Sequence, residues 1–88
     1  KTRKKFLSKF VDEKRGVVWI ADAYNHKIRS LNMASNMLST VPMTQSLGNP
    51  CALALDDESL WIADSASSQI HRYFIETEYL SRISIQMP

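Results

Sequence analysis

Apolar residues fall along the chain in short blocks separated by polar turns. Gly16–Ala21 and Leu60–Ala63 are β-branched and aromatic, and Gly, Asp, Ser and Asn bound them, which predicts strands. Lys27–Leu31 and Gln69–Tyr73 mix apolar and polar positions as half-buried strands do. Met37–Val41 and Tyr79–Ile85 predict a further strand each, and Phe6–Val11 and Cys51–Leu55 predict one more ahead of each aromatic block. Asn32–Asn36, Thr44–Pro50 and Asp56–Ser59 have the composition of turns.

These blocks repeat. Sliding the chain on itself by about 42 positions places Val18-Trp19-Ile20-Ala21-Asp22-Ala23 on Leu60-Trp61-Ile62-Ala63-Asp64-Ser65, Ile28 on Ile70, Leu38-Ser39 on Leu80-Ser81 and Val41 on Ile83, without a gap. Upstream, Val11-Asp12 meets Leu55-Asp56 after a two-residue adjustment inside the polar stretch Glu13–Gly16, where a hairpin turn tolerates a change of length. Each period holds about four short strands, the size and content of a propeller blade. The prediction is an all-β fold of two four-stranded antiparallel blades. The division expected is a basic tail over 1–5, one blade over 6–43 and a second over 44–88.

The string Val18-Trp19-Ile20-Ala21-Asp22-Ala23-Tyr24-Asn25-His26-Lys27-Ile28-Arg29 resembles the NHL repeat, whose blade carries a V-A-D-x-x-N-H-R-I-like core. Asn25 and His26 match two of the residues that give that family its name, and Leu31 or Leu38 supplies the third. Gly48–Asp56 looks like the inner strand opening the next blade. The second unit departs from the pattern, with Ser67-Ser68 in place of Asn25-His26. Leu47–Asp56 followed by Trp61-Ile62-Ala63-Asp64 is also similar to the YWTD repeats of lipoprotein-receptor propellers, the second choice. The resemblance covers about residues 6–85 and implies membership of a six-bladed propeller.

The repeat-motif residues are Trp19, Asp22, Asn25, Ile28, Trp61, Asp64 and Ile70. Asp22 and Asp64 end a strand just before a turn, where a carboxylate accepts backbone N–H bonds and closes the turn. Both units carry the acid, whereas a single active site needs only one. Trp19 and Trp61, also duplicated, are expected in sheet-to-sheet packing. His26 and His71 lack a metal-ligating or catalytic neighbourhood in sequence and read as hydrogen-bonding residues. Cys51 reads as a small core hydrophobe. The loop residues Tyr24, His26, Lys27 and Arg29 form an aromatic and basic group, the candidate binding surface on a face shared by the turns 24–27, 44–49 and 65–69. The second unit offers only Ala66, Ser67 and Ser68 at the positions of Tyr24, Asn25 and His26, so no basic stripe continues.

Composition narrows the classes. Of the 88 residues, 44% are hydrophobic and 23% charged, a globular profile. One cysteine excludes an internal disulfide framework and leans towards a reducing, intracellular compartment. No Cys/His cluster indicates zinc, no catalytic set or cofactor motif stands out, and no apolar run has the ~18 residues of a membrane span. The net charge of +2 hides an asymmetry. Lys1, Arg3, Lys4, Lys5, Lys9, Lys14 and Arg15 crowd the first fifteen residues, while acids outnumber bases beyond them. That basic start reads first as a solvated terminal tail, and as a functional segment it suits nucleic acid, an anionic membrane surface or an acidic partner.

Two blades bury their flanks only against neighbours, and propellers close with about four to eight. Further blades are therefore expected from the same parent chain, from copies of this one or from another polypeptide. Opening on Lys1 rather than Met, the chain reads as a piece of a longer protein. Three functions compete. The first is a non-enzymatic protein-interaction or scaffold module. The second is part of a metal-dependent propeller enzyme of the lyase or lactonase type, which the resemblance implies for some relatives. The third is an RNA-binding surface built on Tyr24, Lys27 and Arg29.

Overall fold

The structure, a computed structural model, describes residues 8–84. The expected tail over 1–5 and the start of the predicted strand at Phe6 lie outside the described residues. Eight strands form two four-stranded antiparallel sheets in strictly sequential order. The first holds β1 (Ser8–Asp12), β2 (Val17–Asp22), β3 (Lys27–Asn32) and β4 (Leu38–Thr40), and the second β5 (Pro50–Leu55), β6 (Ser59–Asp64), β7 (Gln69–Phe74) and β8 (Tyr79–Ser84). A single 3-10 turn, Ala23–Asn25, is the one helical piece among the described residues. The fold is all-β, two consecutive blade-like meanders.

The repeat extends to the backbone. His26 and Ser68 both take a left-handed conformation (φ 58° and 55°), as do Asn36 and Glu78 (φ 60° and 58°). Each pair falls one period apart, so the turns themselves are duplicated. Asn36 and His26 are of the types enriched in this conformation, whereas Ser68 and Glu78 adopt it although such residues do so uncommonly.

The two-residue adjustment lies in the first hairpin. Asp12 pairs with Val17 across the four residues 13–16, whereas the Asp56 N–H donates to the Ser59 carbonyl across only 57–58. Gly16 belongs to this turn, at φ 69°, and not to the strand predicted to start there; the longer loop ends on a left-handed residue that glycine adopts without penalty. Other boundaries shift as well. Pro50 opens β5 instead of closing a turn, Ser59 opens β6, and β4 stops at Thr40.

Alternation along the strands gives each sheet two faces. In the first sheet Val17, Trp19 and Ala21 share a face with Ile28; in the second Leu60 and Ile62 share one with Tyr73 and Leu80. These two faces meet in one core with Val41 and Leu47, supported by Leu53 and Leu55 of β5, which packs across β1 and β2. The faces that meet are not equivalent. Trp19 corresponds to Trp61, yet it packs against the side of the second sheet that Trp61 does not occupy. The stack is head-to-tail. It leaves outward the Val18 side of the first sheet, with Val11 and Leu38 exposed, and the Trp61 side of the second, with Tyr79 and Ile83 exposed.

Candidate functional site

The duplicated acids act inside the fold. Asp64, at the end of β6, accepts the N–H groups of Gly48 (2.8 Å), Asn49 (2.8 Å) and Ala66 (3.1 Å). It closes its own turn and also ties down the linker between the sheets. Burial pushes its carboxyl up, but the Asn49 and Gly48 N–H bonds outweigh this and bring its pKa down to about 2. Asp22, at the end of β2, accepts from Asn25 Nδ2 (2.8 Å) and from Arg29 Nε (3.0 Å). Arg29 also donates to Thr40 Oγ1.

A second pair of acids was not singled out from the sequence. Asp12 Oδ2 accepts the indole N–H of Trp19 at 3.0 Å, and Asp56 Oδ2 that of Trp61 at 2.9 Å. An arginine joins each: Arg15 Nη1 at 3.1 Å from Asp12 and Arg72 Nη2 at 3.2 Å from Asp56. Burial raises the Asp12 pKa, yet the Trp19 and Arg15 bonds hold it below the ordinary carboxylate range. The Trp61 indole, followed by the Glu58 N–H, likewise holds Asp56 below that range. The alignment of Val11-Asp12 on Leu55-Asp56 carried the signal, since a buried indole N–H requires an acceptor.

The tryptophans themselves differ. Trp19 is buried in the inter-sheet core, as expected of a packing residue. Trp61 is half-buried on the outward face, and the Arg72 guanidinium lies between its ring (4.6 Å) and that of Phe74 (4.5 Å). Ile28 is buried and Ile70 half-buried, each opposite the alanine of its aromatic block. His71 is buried with Nε2 3.4 Å from Asp64, and Cys51 is half-buried with its thiol towards the Ala63 carbonyl.

The four loop candidates separate into two kinds. Arg29 and His26 are engaged internally: Arg29 with Asp22 and Thr40, His26 by donating from Nδ1 to the Gly48 carbonyl. That carbonyl can only accept, which fixes the proton on Nδ1. Tyr24 is 73% exposed, and Lys27 is exposed and makes no ion pair among the described residues. The turn 23–26 and the linker 41–49 enclose a groove of about 800 Å³, lined on one side by Asn25, His26 and Lys27 and on the other by the linker. Asn49 Nδ2 donates to Ser65 Oγ at 2.7 Å, so the turn after β6 joins the same assembly. Among the described residues, no three His, Cys, Asp or Glu side chains converge as a metal site, and no helix is long and apolar enough to cross a membrane.

No family model matches the chain. It is similar to NHL repeat-containing protein 2 of Gallus gallus, 27% identical over 92 aligned positions that cover 88% of this chain and 13% of that protein. The chain thus spans about an eighth of the length of this relative. Two antiparallel four-stranded sheets in tandem and this likeness agree with an NHL-like, propeller-type repeat.

Proposed function

We propose that the chain is a pair of adjacent blades in a larger NHL-type propeller and serves as a non-enzymatic protein-interaction module through its turn face. One observation carries this reading: the duplicated acids Asp12, Asp22, Asp56 and Asp64 are all engaged in holding turns, indoles and arginines, while Tyr24 and Lys27 stand outward on the turn face. Tyrosine is a favoured anchor of protein interfaces. The head-to-tail stack supports the blade part of the reading. A third sheet repeating the same step would cover the Trp61 side, and another the Val18 side, whether from the same parent chain, from copies or from another polypeptide.

A photo-crosslinking residue placed at position 24, compared with one at the exposed Met33 in the β3–β4 turn, tests the module. Protein adducts specific to position 24 are expected. RNA adducts at position 24 would favour the nucleic-acid alternative, and equal labelling at both positions would overturn the assignment of this face.

A further inference from the structure

We propose that the groove between the 23–26 turn and the linker binds an extended peptide segment bearing carboxylate side chains. This deepens the interaction reading of the turn face and rests on it.

The groove has a cause in the sequence. In the second sheet the β7–β8 ladder runs through Ile70↔Ile83 to Gln69↔Ser84. In the first sheet the β3–β4 ladder ends at Arg29↔Thr40, followed by one bond from the Val41 N–H to the Ile28 carbonyl. The next residue, Pro42, has no N–H to donate and the chain leaves the sheet there. The β3 edge at Lys27 is therefore not covered by an outer strand as Gln69 is, and the groove occupies that space.

Its chemistry selects a ligand. Hydroxyls and amides line it (Asn25, Thr40, Thr44, Gln45 and Ser46) together with Lys27, and no Asp or Glu does. Asp22 stands opposite Lys27 in the β2–β3 register and is shared with Arg29, so this group of two cations and one carboxylate keeps one surplus positive charge beside the groove. Residues 43–46 make no main-chain hydrogen bond to other described residues. Their N–H and C=O groups are thus not used within the fold and can pair with a bound peptide backbone on either side of the bend at 44–45. The walls are also fixed in advance: His26 bonds the Gly48 carbonyl, and Asp64 holds the Gly48 and Asn49 N–H groups. Such preorganisation lowers the cost of binding.

Fluorescence anisotropy with fluorescein-labelled octapeptides of alternating Glu and Ala, and their Gln and Lys counterparts, tests this on the full chain. The Glu peptide should bind at least fivefold more tightly than the Gln peptide, and the Lys peptide should not bind. Lys27→Glu should weaken the Glu peptide at least tenfold. Lys14→Glu, the same charge change in the exposed turn at the opposite end of the strands, should leave it unchanged and keep the parent melting temperature, while Lys27→Glu, which sets a second carboxylate opposite Asp22, should lower that temperature by no more than a few degrees. Equal affinity for the Glu and Gln peptides, or equal losses for the two variants, would overturn the proposal. Tighter, Lys27-dependent binding of a single-stranded RNA oligomer would overturn it too. Protein adducts at position 24 that survive Lys27→Glu would sink the groove while leaving the interaction face standing.

Discussion

Arg29 and His71 occupy equivalent positions in the two sheets, and each turns a basic side chain onto the aspartate that ends the preceding strand: Arg29 Nε lies 3.0 Å from Asp22, His71 Nε2 3.4 Å from Asp64. Both carboxylates are almost wholly buried, with side chains 4% and 2% exposed. A buried carboxylate needs donors. Asp22 takes the Arg29 guanidinium and the Asn25 amide, whereas Asp64 takes two main-chain N–H groups from the linker and one from the β6–β7 turn and relies less on the imidazole.

The consequence is an asymmetry in what substitutions cost. Asp64→Ala strips acceptors from Gly48, Asn49 and Ala66 and is expected to cost about 3 kcal/mol. His71→Leu is expected to cost no more than about 1 kcal/mol, because it also removes His71 Nδ1, a buried atom without a hydrogen-bond partner. Urea unfolding followed by tryptophan fluorescence measures both, and equal losses would refute the division of roles.

Acid should unfold the protein within a defined window. Asp64 titrates at about 2 in the fold against 3.8 as a free side chain. A group whose folded pKa is depressed stabilises the fold above its unfolded value and loses that contribution as pH falls through the folded one. For Asp64 this amounts to ~2 kcal/mol. Asp12 and Asp56 are shifted in the same direction. The urea midpoint should therefore be nearly flat from neutral pH to about 5 and fall between about 4 and 2. In Asp64→Asn the fall should be shallower from an already lower start. A midpoint that rose on acidification would contradict the bonding described.

The two indole–carboxylate pairs should differ in worth. Asp12 is 2% exposed, so Asp12→Ala strands the buried Trp19 N–H and should cost about 2–3 kcal/mol. Asp56 is 41% exposed and water can replace it at the half-buried Trp61, so Asp56→Ala should cost distinctly less. Paired chemical-denaturation curves decide this, and the reverse order would show that the duplication is not graded by burial.

Much of the fold was legible because the signal was doubled. Trp19-Ile20-Ala21-Asp22 and Trp61-Ile62-Ala63-Asp64 fix two copies of one strand, and ungapped matches on either side fix the others. What single-chain reading misses is long range. Nothing local says that Asp64 reaches back to Gly48, that Arg15 Nη2 crosses the sheets to the Asp57 carbonyl at 2.7 Å, or that Arg29 is engaged with Asp22 instead of facing solvent. Arg29 and Lys27 look alike as cations two residues apart on the same side of β3, and only the bonds that Arg29 makes to Asp22 and Thr40 separate them. The early end of β4 was equally hidden, since Met37–Val41 carries strand composition and Pro42 acts one residue later.

Gly48 is the position where the linker has least freedom. A Cβ there would lie 2.7 Å from the Ala66 Cβ and 3.0 Å from Asp64 Oδ1. The Ala66 methyl cannot rotate away, so Gly48→Ala must displace the linker from the β6–β7 turn and stretch the 2.8 Å bond from the Gly48 N–H to Asp64. A loss of about 1–3 kcal/mol is expected, the usual range for overpacking. Ala66→Gly removes the clash and should restore most of the loss in the double variant, giving a coupling of about 1 kcal/mol or more in a double-mutant cycle. Because the Gly48 carbonyl also receives His26, Gly48→Ala should weaken the Glu peptide in the groove, and Ala66→Gly should recover that binding in step with stability. Destabilisation that Ala66→Gly fails to relieve would show that the linker is not seated on the β6–β7 turn through this contact.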